Sequence, residues 1–180
     1  MKTISIIPAF AFAAFLLLAG CTDRNSPGVI TQPETYGSSA AAGSRLDFVG
    51  RAIEIVPGTA TASERIVDAA GNPLLRVTVN PRVGAPVNVT FDASTGVLSS
   101  MSGGALNSAV DVTPGPYFIS VTLAATLVER DVQGRVSSWS FARNAANSEW
   151  AYSLLFDNGD TKRQVVISAI SKNILSNTAL

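Results

Sequence analysis

Hydrophobic and polar residues alternate along much of the chain that follows residue 46. The alternation is clearest from Tyr117 to Glu129, and it recurs at 75–79, 87–91, 139–141 and 150–156. A period of two residues gives a strand one buried face and one solvated face, which is typical of antiparallel sheets. The pattern therefore predicts a single all-β domain over residues 46–180.

The segments are separated by short stretches with the composition of turns, at 68–71, 92–96, 131–134 and 157–160. Asp and Asn accept hydrogen bonds from their own backbone, and Gly supplies the positive φ that hairpin turns need. Consecutive hairpins are therefore expected to link strands near 117–130, 134–142, 149–157 and 162–171.

Two segments need separate predictions. Alternation continues from Tyr117 to Glu129, which predicts a strand whose buried face holds Tyr117, Ile119, Val121, Leu123 and Leu127. Residues 62–70 fit either a helix, begun by the capping-box pattern Thr61-x-x-Glu64, or a strand. The strand is favoured because Ile66 and Val67 lead directly into a turn.

About nine or ten strands in a continuous hairpin series fit an antiparallel β-sandwich, with an up-and-down β-barrel as the alternative. Residues 66–79, with the turn Asp-Ala-Ala-Gly-Asn-Pro, resemble the strand–turn–strand of bacterial Ig-like domains. Residues 89–98 resemble a turn of bacterial cadherin-like modules. The resemblance implies a β-sandwich, although the sequence has neither a tandem repeat nor the cysteine pair of immunoglobulin domains.

The amino-acid composition narrows the classes of function that this chain can have. Charged residues make up 14% of the chain and the formal net charge is zero, so the charge balance gives no case for nucleic-acid binding. The sequence has no His and one Cys. It therefore lacks the commonest general base and metal ligand, and it cannot form an internal disulfide. We expect no metal and no cofactor other than a covalent lipid.

The N-terminus has the organisation of a signal peptide. Lys2 precedes an apolar run from Ile4 to Leu18, which is shorter than the ~20 residues of a membrane-spanning helix. Next comes Leu18-Ala19-Gly20-Cys21, which resembles the lipobox of bacterial lipoproteins. The resemblance implies cleavage between Gly20 and Cys21 and attachment of lipid to the Cys21 thiol.

The predicted domain organisation follows: a helical signal peptide over 1–20, a lipidated cysteine and flexible tether over 21–45, and the β-domain over 46–180. The tether is rich in Pro, Gly, Ser and Ala and lacks apolar periodicity. In Gram-negative lipoproteins, Asp directly after the cysteine favours inner-membrane retention. Here Thr22 takes that place and Asp23 follows, so delivery to the outer membrane is expected.

A catalytic constellation is not visible. There is no G-x-S-x-G motif, and a Ser-His-Asp triad cannot form without His. Asp157 and Glu149, near one hairpin, are the carboxylates on which a hydrolase would depend. The segment 157–160 lacks the spacing of a calcium loop. No catalytic or metal-binding residue is therefore predicted.

Four aromatic residues fall on neighbouring predicted strands: Trp139, Phe141, Trp150 and Tyr152. They form either the main core or a ligand- or partner-binding patch. The sequence thus predicts a non-catalytic envelope lipoprotein that contacts the membrane through its lipid and binds an envelope protein or cell-wall component. A small-molecule or glycan-binding module is the alternative, and a hydrolase is a third.

Overall fold

The computed structural model describes residues 47–180, which form eight strands and two short helices. In chain order these are α1 (Phe48–Ile55), β1 (Gly58–Val67), β2 (Pro73–Pro81), β3 (Val87–Asp92), β4 (Leu98–Gly103), α2 (Val121–Glu129), β5 (Arg135–Arg143), β6 (Trp150–Asp157), β7 (Lys162–Ser168) and β8 (Ile174–Ala179).

All eight strands belong to one antiparallel sheet in which spatial order follows chain order. Within the described residues, β1 pairs only with β2 and β8 only with β7, so the sheet does not close. The predicted all-β antiparallel class is confirmed, with eight strands, and the barrel alternative does not hold. Residues from both halves of the sheet share one hydrophobic core, an arrangement consistent with a β-sandwich.

The prediction of a strand at 117–130 is wrong, because this segment contains α2. The buried side chains of α2 are spaced at i, i+3, i+4 and i+7, which is a helical face: Val121, Ala124, Ala125 and Val128. Tyr117 and Leu123, which the strand would bury, are exposed. Ser120 caps the helix by accepting a hydrogen bond from the Leu123 N–H at 3.2 Å.

The start of the domain also differs from expectation. The sequence predicted only strands after residue 46, whereas Asp47 caps helix α1 through a hydrogen bond from the Gly50 N–H at 2.8 Å. Ala52 and Val56 bury the inner side of this segment against the sheet. Residues 62–70, the ambiguous segment, are strand up to Val67, as favoured from the sequence.

The domain consists of two similar units, each a short helix followed by four antiparallel strands. Unit one comprises α1 and β1–β4, and unit two comprises α2 and β5–β8. Pairing is irregular at Ala60/Ala62 in β1–β2 and at Val136/Ser138 in β5–β6, the equivalent strand pair of unit two. The pairs β3–β4 and β7–β8 are also irregular, at Thr90/Phe91 and Val166/Ile167. Val166 follows Thr90 by the same number of residues as Val136 follows Ala60. The structure thus contains a repeat that the sequence does not display.

The turns that close the two units match in detail. Asp92 Oδ1 accepts hydrogen bonds from the backbone N–H groups two and three residues further on, and Ser168 Oγ does the same. The turns end at Gly96 and Lys172, which have φ of 71° and 67°. The two turns therefore share one backbone conformation although their sequences differ.

The strand order gives the sheet two distinct ends. The turn end, as we call it, carries the β1–β2, β3–β4, β5–β6 and β7–β8 turns. The opposite end carries the β2–β3 loop, the β6–β7 turn and the long connection between β4 and β5. Helix α1 runs from the turn end to the opposite end. At its start, Phe48 packs on Phe91 with ring centroids 5.6 Å apart, and Arg51 donates to the Gly96 carbonyl.

Candidate binding cleft

The anchor motif lies outside the described residues. Leu18, Ala19, Gly20 and Cys21, together with the predicted signal peptide and tether, precede residue 47, so their prediction stands as made. Neither helix within residues 47–180 has the length and hydrophobicity needed to cross a bilayer.

The four aromatic residues singled out from the sequence lie on the inner face of the sheet and form one column. Ring centroids are 6.4 Å apart for Trp139 and Tyr152, 5.1 Å for Tyr152 and Phe141, and 4.8 Å for Phe141 and Trp150. Trp139, Phe141 and Tyr152 are buried, and Trp150 is half-buried. Most of this group therefore belongs to the core, and Trp150 is the member that reaches the surface.

Trp150 marks the turn end of the column. Its indole stacks on Phe141 with an interplanar angle of 8°, and the Arg143 guanidinium lies 5.0 Å from its ring centroid. Phe118 packs against its edge. With these neighbours around the ring, a sugar could stack on Trp150 only after Arg143 moved away. The glycan-binding alternative gains little support here.

At the opposite end of the domain lies an open cleft. Its walls are the end of α1, the start of β1, the β2–β3 loop and the segment at 109–111. Hydrophobic and hydroxyl side chains dominate the lining, which includes Ile53, Pro57, Thr59, Thr61, Pro81, Val83 and Val110. Ile53 is 36% exposed and Val83 46% exposed. The cleft therefore presents two large hydrophobic side chains to solvent, one from α1 and one from the β2–β3 loop.

Local chain geometry holds the cleft in place. At its base Gly58 pairs with Pro81, and a Cβ on Gly58 would lie 2.3 Å from the Asn80 carbonyl oxygen. Only glycine permits this close approach of β1 to β2. On the other wall, the Thr122 hydroxyl donates to the Val110 carbonyl at 3.3 Å. The two walls are thereby fixed by the sheet and by α2.

The charged side chains that line the cleft are Arg82 and Asp111. They have opposite sign, so the cleft favours neither anions nor cations as a class. Burial raises the pKa of the Tyr152 phenol, and the negative charge of Asp111 raises it further. The Tyr152 hydroxyl is neutral and donates to the Ile119 carbonyl at 2.8 Å, so it acts as a structural donor.

Trp139 lies beside a small cavity that shares residues with the cleft. The cavity has a volume of about 20 Å³ and borders Pro81, Val83 and Val110. One water molecule needs roughly 10–15 Å³ of such space, so this cavity has room for a water molecule and is too small for an organic ligand. The open cleft, in contrast, is accessible to a side chain or an extended peptide.

The carboxylates of the hydrolase alternative lie far apart. Glu149 precedes β6 and Asp157 ends it, which at ~3.3 Å per residue separates them by about 26 Å. Paired catalytic carboxylates of glycosidases stand about 5–9.5 Å apart. The Gly159 N–H and Lys162 lower the pKa of Asp157, and Glu149 accepts a hydrogen bond from Ser168. Both carboxylates stabilise turns, and they cannot act as a pair.

Ile53 and Val83 were not singled out from the sequence. Their signal is weak, because Val83 stands alone between Arg82 and Gly84, and Ile53 lies in a short hydrophobic stretch, 52–56, in which nothing sets it apart. Only the fold brings the end of α1 beside the β2–β3 loop. In the described part of the chain, no three acidic or cysteine side chains cluster in a way that could hold a metal ion.

The fold and the cleft define an all-β domain of two similar units with an open surface groove at one end. No family model and no curated protein matches the chain. Among solved structures, it is similar to the crystal structure of a protein described as a putative lipoprotein from Clostridium difficile 630. The TM-score is 0.37 and the identity 10%, over 74% of this chain and 89% of that chain. Similarity at this level defines neither family nor function.

Proposed function

We propose that this protein is a non-catalytic lipoprotein of the bacterial cell envelope, anchored through lipid on Cys21, whose β-domain binds another envelope component. The anchoring part rests on the sequence Leu18-Ala19-Gly20-Cys21 after an apolar run. Several acyl chains, at ~0.8 kcal/mol per buried methylene, give an effectively permanent anchor.

The observation that carries the binding part is the exposure of Ile53 and Val83, which both line one cleft. Exposed hydrophobic side chains rimmed by polar groups are typical of protein-binding sites. The cleft is open along its length and lacks an enclosed pocket of ligand size. These features favour a polypeptide segment that inserts a hydrophobic side chain between Ile53 and Val83.

A site-specific photocrosslinker tests the binding site in the full-length protein in its native membrane. It is placed at Val83, and at Thr178 as a control on the exposed edge strand β8. We expect one dominant envelope component to crosslink at position 83 and not at 178, and Ile53→Asp to remove that adduct. The binding proposal fails if position 83 gives no adduct or the same adducts as position 178.

The anchor is tested separately by the mass of the mature N-terminus and by membrane fractionation. We expect a lipid-modified residue 21 and loss of membrane association in Cys21→Ala. Outer-membrane delivery is proposed because Thr22 follows the cysteine, and it predicts sedimentation with outer-membrane markers. Recovery with inner-membrane markers would contradict the location while leaving the anchor intact.

A further inference from the structure

Exposed hydrophobic side chains concentrate at the turn end of the domain. Val67 ends β1 and is 61% exposed, while Val97 and Ile170, in the β3–β4 and β7–β8 turns, are 60% and 54% exposed. The conformation of the turn does not require a hydrophobic residue at Ile170, since Ser94 occupies the equivalent position in the β3–β4 turn of unit one. We call these three residues, together with Tyr117, the turn-end apolar set.

Tyr117 is the most exposed member of this set, at 84%. Its position is fixed by its neighbours: Phe118 packs on Trp150 at the start of β6, and the Ile119 N–H donates to the Ala169 carbonyl at 2.9 Å. Tyr117 therefore lies beside the β7–β8 turn. Between Asp111 and Glu129 the sequence has no charged residue at all.

The chain also enters the domain at the turn end. Helix α1 begins there, as the contacts of Phe48 with Phe91 and of Arg51 with Gly96 show. A tether of the predicted length and composition spans about 25–30 Å on average. That is close to the roughly 33 Å length of the ten-residue strand β1. To bring the opposite end to the bilayer, the tether would have to run back along the whole domain.

Charge at the turn end is mixed. The basic side chains there are Arg51, Arg143 and Lys172, and the acidic ones are Asp47, Asp68, Asp92 and Glu149. Asp68, Asp92 and Glu149 accept hydrogen bonds within the turns. Attraction to anionic lipid is therefore not the dominant force, and contact with a surface depends on the hydrophobic side chains.

We infer that the turn end is a membrane-contacting surface, in which Val67, Val97, Tyr117 and Ile170 insert into the bilayer that holds the lipid on Cys21. The inference rests on the proposed anchor and adds an orientation to it. Exposed aliphatic side chains and a tyrosine, with its apolar ring and polar tip, suit the interfacial region of a bilayer. The cleft with Ile53 and Val83 then faces away from the membrane, toward a partner.

Fluorescence quenching tests this orientation in the full-length, lipidated protein. Three variants are each labelled with an environment-sensitive fluorophore: Tyr117→Cys, Ile170→Cys and Val83→Cys. Val83 is the matched control, because it is an exposed hydrophobic residue at the opposite end. Lipid occupies the Cys21 thiol, so only the introduced cysteine reacts. The proteins are reconstituted into phosphatidylethanolamine–phosphatidylglycerol vesicles that contain nitroxide-labelled lipid.

We expect quenching at positions 117 and 170 to exceed that at 83 by about twofold or more, and to persist in high salt. Equal quenching at all three positions overturns the inference. So does a blue-shifted label at 117 that nitroxide lipid does not quench, because a protein would then cover this surface. If mass analysis shows lipid on Cys21 in these samples, either result leaves the anchor standing. Absence of lipid on Cys21 would overturn both the proposed anchor and the membrane orientation that rests on it.

Discussion

Gly96 and Lys172 occupy the same place in the equivalent turns of the two units, both in the left-handed backbone region. Glycine adopts this conformation freely, whereas an L-residue with a Cβ is strained by about 1–2 kcal/mol. Unit two thus tolerates at Lys172 a strain that unit one avoids at Gly96.

Lys172→Gly is therefore expected to stabilise the protein, by about 0.5–1 kcal/mol after the greater entropy of glycine in the unfolded chain is subtracted. The reciprocal change, Gly96→Lys, should destabilise it by about 1 kcal/mol. Urea denaturation of both variants measures the two effects. A loss of stability in Lys172→Gly would show that the lysine side chain makes a favourable interaction that outweighs the strain.

Asp92 predicts a specific pH dependence. Hydrogen bonds from Ser94 and Thr95 lower the pKa of its carboxyl to about 2. Because the folded-state pKa lies below the unfolded value of ~3.9, the stabilisation by Asp92 is complete above about pH 4 and is lost as pH falls toward 2.

Asp92→Ser copies the equivalent turn, where Ser168 makes the same backbone hydrogen bonds without a titratable group. The urea midpoint of the wild type should fall more steeply between pH 4 and pH 2 than that of Asp92→Ser. Parallel curves for the two proteins would contradict the assignment. Asp68 and Asp157, whose pKa values are also lowered, are present in both proteins and cancel in the comparison.

Gly103 is expected to be intolerant of a side chain. A Cβ there would lie 2.6 Å from Trp139 Nε1, so the buried indole at the junction of β4 and β5 would have to move. Gly103→Ala should destabilise the protein by about 1–3 kcal/mol, as overpacked cores do. Gly115→Ala is the matched control, because its Cβ would stand 3.7 Å from Phe118 in ordinary contact. Thermal unfolding followed by tryptophan fluorescence should separate the two variants clearly.

The Ser120 cap tests the helical assignment of the segment that the alternation pattern assigned to a strand. Ser120→Ala removes the acceptor for the Leu123 N–H and should cost about 1 kcal/mol. Thr126→Ala, at an exposed position of the same helix, should have little effect or stabilise slightly. Equal effects of the two substitutions in chemical denaturation would argue against a helix that begins at Ser120.

The strands and most turns follow from local sequence. Val87, Val89 and Phe91 alternate as predicted and are buried, and the turn at 157–160 closes β6–β7 as its Asp-Asn-Gly composition indicates. Helix α2 could not be recognised in the same way. Its Val and Thr residues have strand propensity, and apolar residues at odd positions imitate a period of two. The helix contacts β6 and buries the small side chains of Ala124 and Ala125 in the core.

The site was less predictable than the fold. The sequence places Trp139 and Phe141 on a strand next to that of Trp150 and Tyr152, and the four rings lie together. Periodicity gives no information on which end of a strand stays open to solvent. The cleft depends on Ile53 and Val83, which are distant in sequence and come together only through the sheet. The repeat was hidden because its two copies share backbone conformation, as in Asp92 and Ser168, far more than residue identity.

The repeat also allows the outer edges of the sheet to be compared with its internal junction. Where unit one joins unit two, Met101 of β4 faces Phe141 of β5, and both side chains are buried. The corresponding positions on the outer strands β8 and β1 are Asn177 and Arg65, and both are exposed. A further unit, or a second molecule, docking on either outer strand would have to bury an amide or a guanidinium where the internal junction buries two hydrophobic side chains. These polar side chains on the outer strands thereby disfavour edge-to-edge association through this position.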